Sequence, residues 1–148
     1  MNDLKDQEMV ITSTIEDYLE GILFLSEEKG FAQVTEIAQM LEVSKASVTE
    51  MVSKLKNNNL VNYEKYGTIS LTEKGKEIAV KIKDRHEILQ SFLLFIGVSP
   101  ENANTDCCSM EHDLSDETVR KIKIFMKFLK SENQKDILNR LNKFVGKE

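Results

Sequence analysis

Chemistry-bearing side chains concentrate in one short run, Cys108-Ser109-Met110-Glu111-His112. On a helix, positions i, i+3 and i+4 share a face, so Cys108, Glu111 and His112 point together over an arc of about 100°. Thiolate, carboxylate and imidazole converging in this way can hold a divalent cation. Ala103, Cys107, Met110 and Leu114 form a separate apolar stripe on the same helix, which makes Cys107 a small core residue and Cys108 the candidate ligand. The chain has two histidines, and the second, His86, lies between Ile82 and Leu89 in another apolar stripe. A lone histidine in such a place is more often a hydrogen-bonded core residue, and the nearby donor cluster raises its standing as a ligand. Asp17 and Glu20 lie about 60° apart on a further helix, with Phe24 between them and opposite Ile11, Ile15 and Ile22. Such carboxylates are usually a solvated face, but the interposed Phe points to a face that meets another element. If these three helices meet, they can surround one or two divalent cations. Carboxylates alone suit Mn²⁺ or Mg²⁺, and a thiolate shifts preference toward Fe²⁺, Co²⁺, Ni²⁺ or Zn²⁺.

Seven helices and a hairpin must position these residues. Apolar spacing predicts a first helix over about Ser13 to Ser26, ending near Gly30. A second helix runs over Glu36 to Leu41 with Thr35 as its N-cap, and a third, capped by Ser44, runs over Lys45 to Asn58 with Val48, Met51, Val52 and Leu55 inward. Val61 and Tyr63, then Ile69 and Leu71, alternate as a β-hairpin. A long helix follows from Thr72 to Ile96 and stops at Gly97, with Ile78, Ile82, Leu89, Leu93 and Ile96 on one stripe. Ser99-Pro100-Glu101 opens a fifth helix to about Asp113, Ser115 caps a sixth to Leu129, and Glu132 to Phe144 forms a seventh. The fold class is mainly α: a winged helix-turn-helix over residues 1–72, then an all-helical domain over 73–148.

Length, composition and charge restrict the function. With 148 residues, 41% apolar content and one proline, the chain excludes solenoids and large enzymes. No apolar run is long enough to span a membrane, and the acidic start has the wrong sign for a signal peptide, so a cytoplasmic protein is expected. Adjacent Cys107 and Cys108 can scarcely pair as a disulfide, which fits a reducing compartment. The net charge of −5 disfavours nucleic acid as a partner only as an average. Residues 43–86 hold nine Lys/Arg against five Asp/Glu, a net of +4, so the rest carries −9.

That basic segment contains the helix-turn-helix. Its second helix presents Ser47, Thr49, Glu50, Ser53 and Lys54, short and polar groups able to reach base edges in a major groove. Lys45, Lys56, Lys65 and Tyr66 can hold phosphates, and Ser44, the cap of that helix, belongs to the same DNA-binding set. A solvated surface or a protein-binding use of the same fold is the plainer reading. Helix spacing, capped turn, hairpin and local charge together favour DNA.

Several of these stretches resemble the diphtheria-toxin-repressor and manganese-transport-regulator family: Thr14 to Glu20 (TIEDYLE), Val43 to Lys54 (VSKASVTEMVSK), Leu60 to Tyr66 (LVNYEKY), Leu71 to Gly75 (LTEKG), Arg85-His86-Glu87 and Glu111 to Ser115 (EHDLS). The resemblance covers about residues 12 to 130. It implies a cytoplasmic, homodimeric, metal-activated repressor of metal uptake that binds palindromic double-stranded DNA operators. It also implies Asp17, Glu20, His86, Cys108, Glu111 and His112 as the metal ligands, with Fe²⁺ or Mn²⁺ as the cation. Asp17 and Glu20 look like the manganese-sensing branch, whereas Cys108 stands where that branch has a glutamate, able to bridge two metals, and the iron-sensing branch has a cysteine. Asn104 and Gln90 stand where the iron branch has a histidine and a glutamate, so its ancillary site is expected to be absent or altered. An end at Glu148 implies the two-domain layout of the manganese branch, without an SH3-like third domain. Two other readings remain at this stage: a helix-turn-helix regulator sensing a small organic ligand without metal, and a small metalloenzyme. The chain has no H-E-x-x-H, nucleophile elbow or phosphate-cradling glycine loop, so no enzymatic activity is expected.

Overall fold

The computed structural model describes residues 9–64, 67–131 and 134–146. In chain order the elements are α1 (Ser13–Lys29), β1 (Ala32–Gln33), α2 (Val34–Met40), α3 (Lys45–Asn57), β2 (Val61–Tyr63), β3 (Thr68–Leu71), α4 (Glu73–Phe95), α5 (Pro100–Asp113), α6 (Asp116–Ser131) and α7 (Gln134–Val145). They divide into two compact units, residues 1–82 and 83–148, with the division inside α4.

In the first unit, each helix end is closed by local chemistry. The Thr12 side chain accepts from Ile15 N at the start of α1, and Gly30 ends that helix in the left-handed region at φ 88°. The helix therefore runs one turn past the Ser26 expected from apolar spacing. The helix-turn-helix corner is a Schellman turn: Glu42 is left-handed at φ 54° and Val43 N donates to Ala38 O at 3.0 Å. Ser44 then caps α3, its hydroxyl accepting from Ser47 N at 3.0 Å. Burial of Val48, Val52 and Leu55 with Ile15, Leu19, Ile22, Ile37 and Ile69 forms the core of this unit.

The start of α2 departs from the sequence reading. Its N-cap is Gln33, not Thr35, and Gln33 N donates to Glu36 Oε2 at 3.0 Å. The cause is a strand that apolar periodicity does not reveal: Ala32 and Gln33 pair with Ile69 and Thr68. That pairing holds Gln33 extended, so the helix begins directly after it. The expected hairpin becomes a three-stranded antiparallel sheet of order β1-β3-β2.

Past the end of α3, Asn59 is left-handed at φ 57°, and Leu60 N closes a second Schellman turn on Leu55 O at 3.0 Å. Thr72 binds this turn twice: its hydroxyl donates to Asn59 O at 2.6 Å and its N–H to Leu60 O at 3.1 Å. Gly75 N in turn donates to Thr72 Oγ1 at 3.0 Å. The α4 backbone passes so near Leu60 that a Cβ on Gly75 would lie 1.9 Å from Leu60 O.

In the second unit, Leu89, Leu93, Ala103 and Cys107 are buried together, and Phe95, Met126 and Leu129 form a second cluster. Ile96 is 45% exposed rather than on the buried stripe, because α4 ends at Phe95 and Gly97 turns the chain at φ 96°. Pro100 occupies the first turn of α5 behind Ser99, whose hydroxyl accepts from Asn102 N at 3.4 Å. Glu132, in the expected seventh helix, lies outside the described residues. Among the described residues no helix is long and apolar enough to cross a membrane.

Gly75→Ala is expected to lower unfolding free energy by about 1–3 kcal/mol, because the added methyl must push two backbones apart. Urea denaturation measures it, and an unchanged midpoint would contradict the close approach.

Candidate metal centre

Within the second unit, α4 and α5 bring their donors together. Glu111 is buried, at 3% exposure, although it carries a carboxylate. Its Oε2 lies 2.9 Å from His86 Nδ1 and its Oε1 lies 3.6 Å from His112 Nε2. Burying a carboxylate is costly unless a positive or hydrogen-bonding partner meets it. The donor set therefore fits a divalent cation: one enclosed carboxylate, two imidazoles and an adjacent thiol. Cys108 is exposed, with Sγ 3.9 Å from His86 Nδ1.

Cys107 is buried, as its stripe predicts, yet its position is more informative than that of a core filler. Its Sγ lies 3.4 Å from His86 Nε2 and donates to Asn104 O at 3.2 Å. Burial, with Cys108 and Glu111 alongside, pushes the Cys107 thiol up to about 12. At neutral pH Cys107 is a protonated thiol packed against the imidazole.

Arg85 is a functional candidate that the sequence reading passed over. Its Nε donates to Glu111 O at 2.7 Å, Nη2 donates to Leu114 O, and Nη1 meets Asp116 Oδ1 at 2.6 Å. The last carbonyls of a helix have no intrahelical donors, and a planar guanidinium can satisfy two at once. Consecutive residues of α4 thus grip Glu111, with Arg85 on its backbone and His86 on its side chain. Its sequence signals were that Arg85 precedes a candidate ligand and stands in the Arg85-His86-Glu87 stretch of the family resemblance.

The remaining site residues stand in their own elements. Asp17 is exposed and Glu20 half-buried on α1, and Phe24 is 53% exposed. Gln90 Nε2 donates to Asn104 Oδ1 at 3.2 Å, so two neutral amides bond where the iron branch has a glutamate and a histidine. On the first unit, Ser44, Lys45, Ser47, Thr49, Glu50, Ser53 and Lys54 are all exposed. Two hydroxyls are turned to their own helix, Thr49 Oγ1 donating to Lys45 O and Ser53 Oγ to Thr49 O. Lys56 Nζ donates to Tyr63 O at 3.1 Å, which ties α3 to β2. Lys65 and Tyr66 lie outside the described residues.

A helix-turn-helix with a β wing, followed by a helical unit that gathers imidazole, carboxylate and thiol, defines a class of DNA-binding regulators that use a metal. Residues 10–69 match the family described as iron dependent repressor, N-terminal DNA binding domain, and residues 72–138 match iron dependent repressor, metal binding and dimerisation domain. The chain is similar to an HTH-type transcriptional regulator of Methanocaldococcus jannaschii, 43% identical over 124 residues that cover 82% of this chain and 99% of that protein. It is 41% identical over 122 residues to the HTH-type transcriptional regulator MntR of Bacillus subtilis, covering 82% of this chain and 86% of that one. Among solved structures it resembles the manganese regulator SloR with a TM-score of 0.67 and 30% identity, over 81% of this chain. It spans about half of that longer chain, 55%. The chain belongs to the iron-dependent repressor family, metal-dependent transcriptional repressors rather than enzymes.

Arg85→Ala is expected to weaken divalent-metal binding about 10- to 100-fold, the usual cost of losing a partner that orients a ligand, and Arg85→Lys about half as much on a logarithmic scale. Calorimetric titration of the folded variants decides it. A fall in melting temperature with unchanged affinity would leave Arg85 a purely structural residue.

Proposed function

We propose that Asp17, Glu20, His86, Cys108, Glu111 and His112 bind a divalent transition metal, Fe²⁺ or Mn²⁺, and that this binding switches a homodimer into its operator-binding form. The observation that carries the reading is the buried Glu111 carboxylate, held between two imidazoles beside Cys108. The similarity to regulators whose names state manganese supports the choice of cation.

In this reading, Asp17 and Glu20 supply the carboxylates that tie α1 to the donors of α4 and α5. The cation supplies the positive charge that lets these groups lie together. Without it, Asp17, Glu20, Glu111 and a Cys108 thiolate repel one another, and the linkage is loose. With it, the recognition helices of the two protomers take a spacing that matches palindromic half-sites about one helical turn, or a multiple, apart. Moving the population from mostly loose to mostly competent requires about 5 kcal/mol of differential metal affinity, which several ligand bonds supply.

Ser47, Thr49, Glu50, Ser53 and Lys54 of α3 read base edges, while Ser44, Lys45, Lys65 and Tyr66 position the phosphates. Ile124, Phe125 and Phe128 of α6 are 55%, 44% and 55% exposed in the single chain, and we assign them to the dimer surface.

Gel-shift titration with operator DNA tests the switch. Chelator should abolish the complex, anaerobic Fe²⁺ or Mn²⁺ should restore it, and Glu111→Gln should need at least tenfold more metal. Metal-independent binding would overturn the switch. Lys54→Ala should reduce the slope of log affinity against log salt by about one, whereas an unchanged slope would remove Lys54 from the phosphate or base contacts.

A further inference from the structure

We infer that Cys107 is an additional ligand for thiophilic cations such as Zn²⁺ and Cd²⁺, which the centre takes through Cys107, Cys108 and His86. The inference rests on the reading of His86 and Cys108 as metal ligands and extends it to a second thiol. Three observations carry it. One ligand atom from each of these residues lies within 4.8 Å of the others. His86 Nδ1 is 3.9 Å from both sulfurs, Cys107 Sγ and Cys108 Sγ. Donors around a tetrahedral Zn²⁺, with Zn–S about 2.3 Å and Zn–N about 2.0–2.1 Å, lie about 3.5–3.8 Å apart. Cys108 Sγ is near that distance from Nδ1, and Cys107 Sγ, which lies nearer Nε2 at 3.4 Å, must turn from beside the ring toward Nδ1 to complete the set. Glu111 Oε2, 2.9 Å from the same nitrogen, stands where a fourth donor would be.

Both thiols sit on α5 and the imidazole on α4, so the set is built by packing two helices of one unit. Softness then sorts the cations. Thiolate sulfur selects Zn²⁺ and other thiophilic ions, while Mn²⁺ favours the oxygen donors and gains little from Cys107. Binding one divalent cation through both sulfurs replaces two thiol protons, which pass to solvent. Softness therefore opens the two-sulfur mode to ions that bind sulfur strongly and closes it to those that do not.

The test is anaerobic titration of the full chain with Cd²⁺, reading the thiolate-to-cadmium charge-transfer absorbance, whose intensity per bound ion scales with the number of Cd–S bonds. Wild type should show twice the intensity of Cys107→Ala and of Cys108→Ala. Cys107→Ala should also lower the ratio of Cd²⁺ to Mn²⁺ affinity at least tenfold. Equal intensity in wild type and Cys107→Ala would overturn the inference, as would an unchanged affinity ratio. Cys107→Val retains apolar volume without a sulfur and serves if the alanine variant folds poorly. Failure of the proposed switch is a separate result: Mn²⁺ and Fe²⁺ would leave operator binding unchanged in wild type, whatever sulfur count Cd²⁺ reports.

Discussion

The α4–α5 interface of the second unit is arranged around one buried carboxylate. Glu111 is 3% exposed, and α4 holds it from both sides, with His86 on an oxygen and Arg85 on its carbonyl. A charge in such a place is stable only while its partners stay in position. The same grip closes the C-terminal end of α5 and reaches Asp116 at the start of α6. Arg85 therefore fixes both the backbone of Glu111 and the α5–α6 corner.

The DNA-facing unit follows a different rule. Its helix ends are fixed by backbone hydrogen bonds and caps, and the outer face of α3 stays exposed. Lys56, bonded to the Tyr63 carbonyl, braces α3 against the sheet. Thr72 and Gly75 lock the first turn of α4 against the end of α3, through contacts too close for any side chain at residue 75. The charge division fits a DNA-binding unit: residues 43–86 carry a net +4 in a chain of net −5.

Legibility tracked the range of the interaction involved. Helix identity was readable because apolar spacing and caps are local, as at Ser44 and Ser99. The shared face of Cys108, Glu111 and His112 was readable for the same reason, since helical geometry alone aligns i, i+3 and i+4. The start of α2 was misread because Gln33 is held extended by pairing across 35 positions with Thr68. Two residues carry no pattern that betrays such long-range pairing.

Sequence alone determined the helical framework, the basic reading segment, the family resemblance and the donor types of the α5 face, because each is set by neighbours along the chain. Tertiary structure decided which donors meet. It set His86 on Glu111, placed Arg85 as a clamp and put the buried Cys107 thiol 3.4 Å from an imidazole. Those relations arise between helices more than twenty residues apart in sequence. Helix-on-helix packing, which no local periodicity encodes, fixes the angle and depth at which their side chains converge.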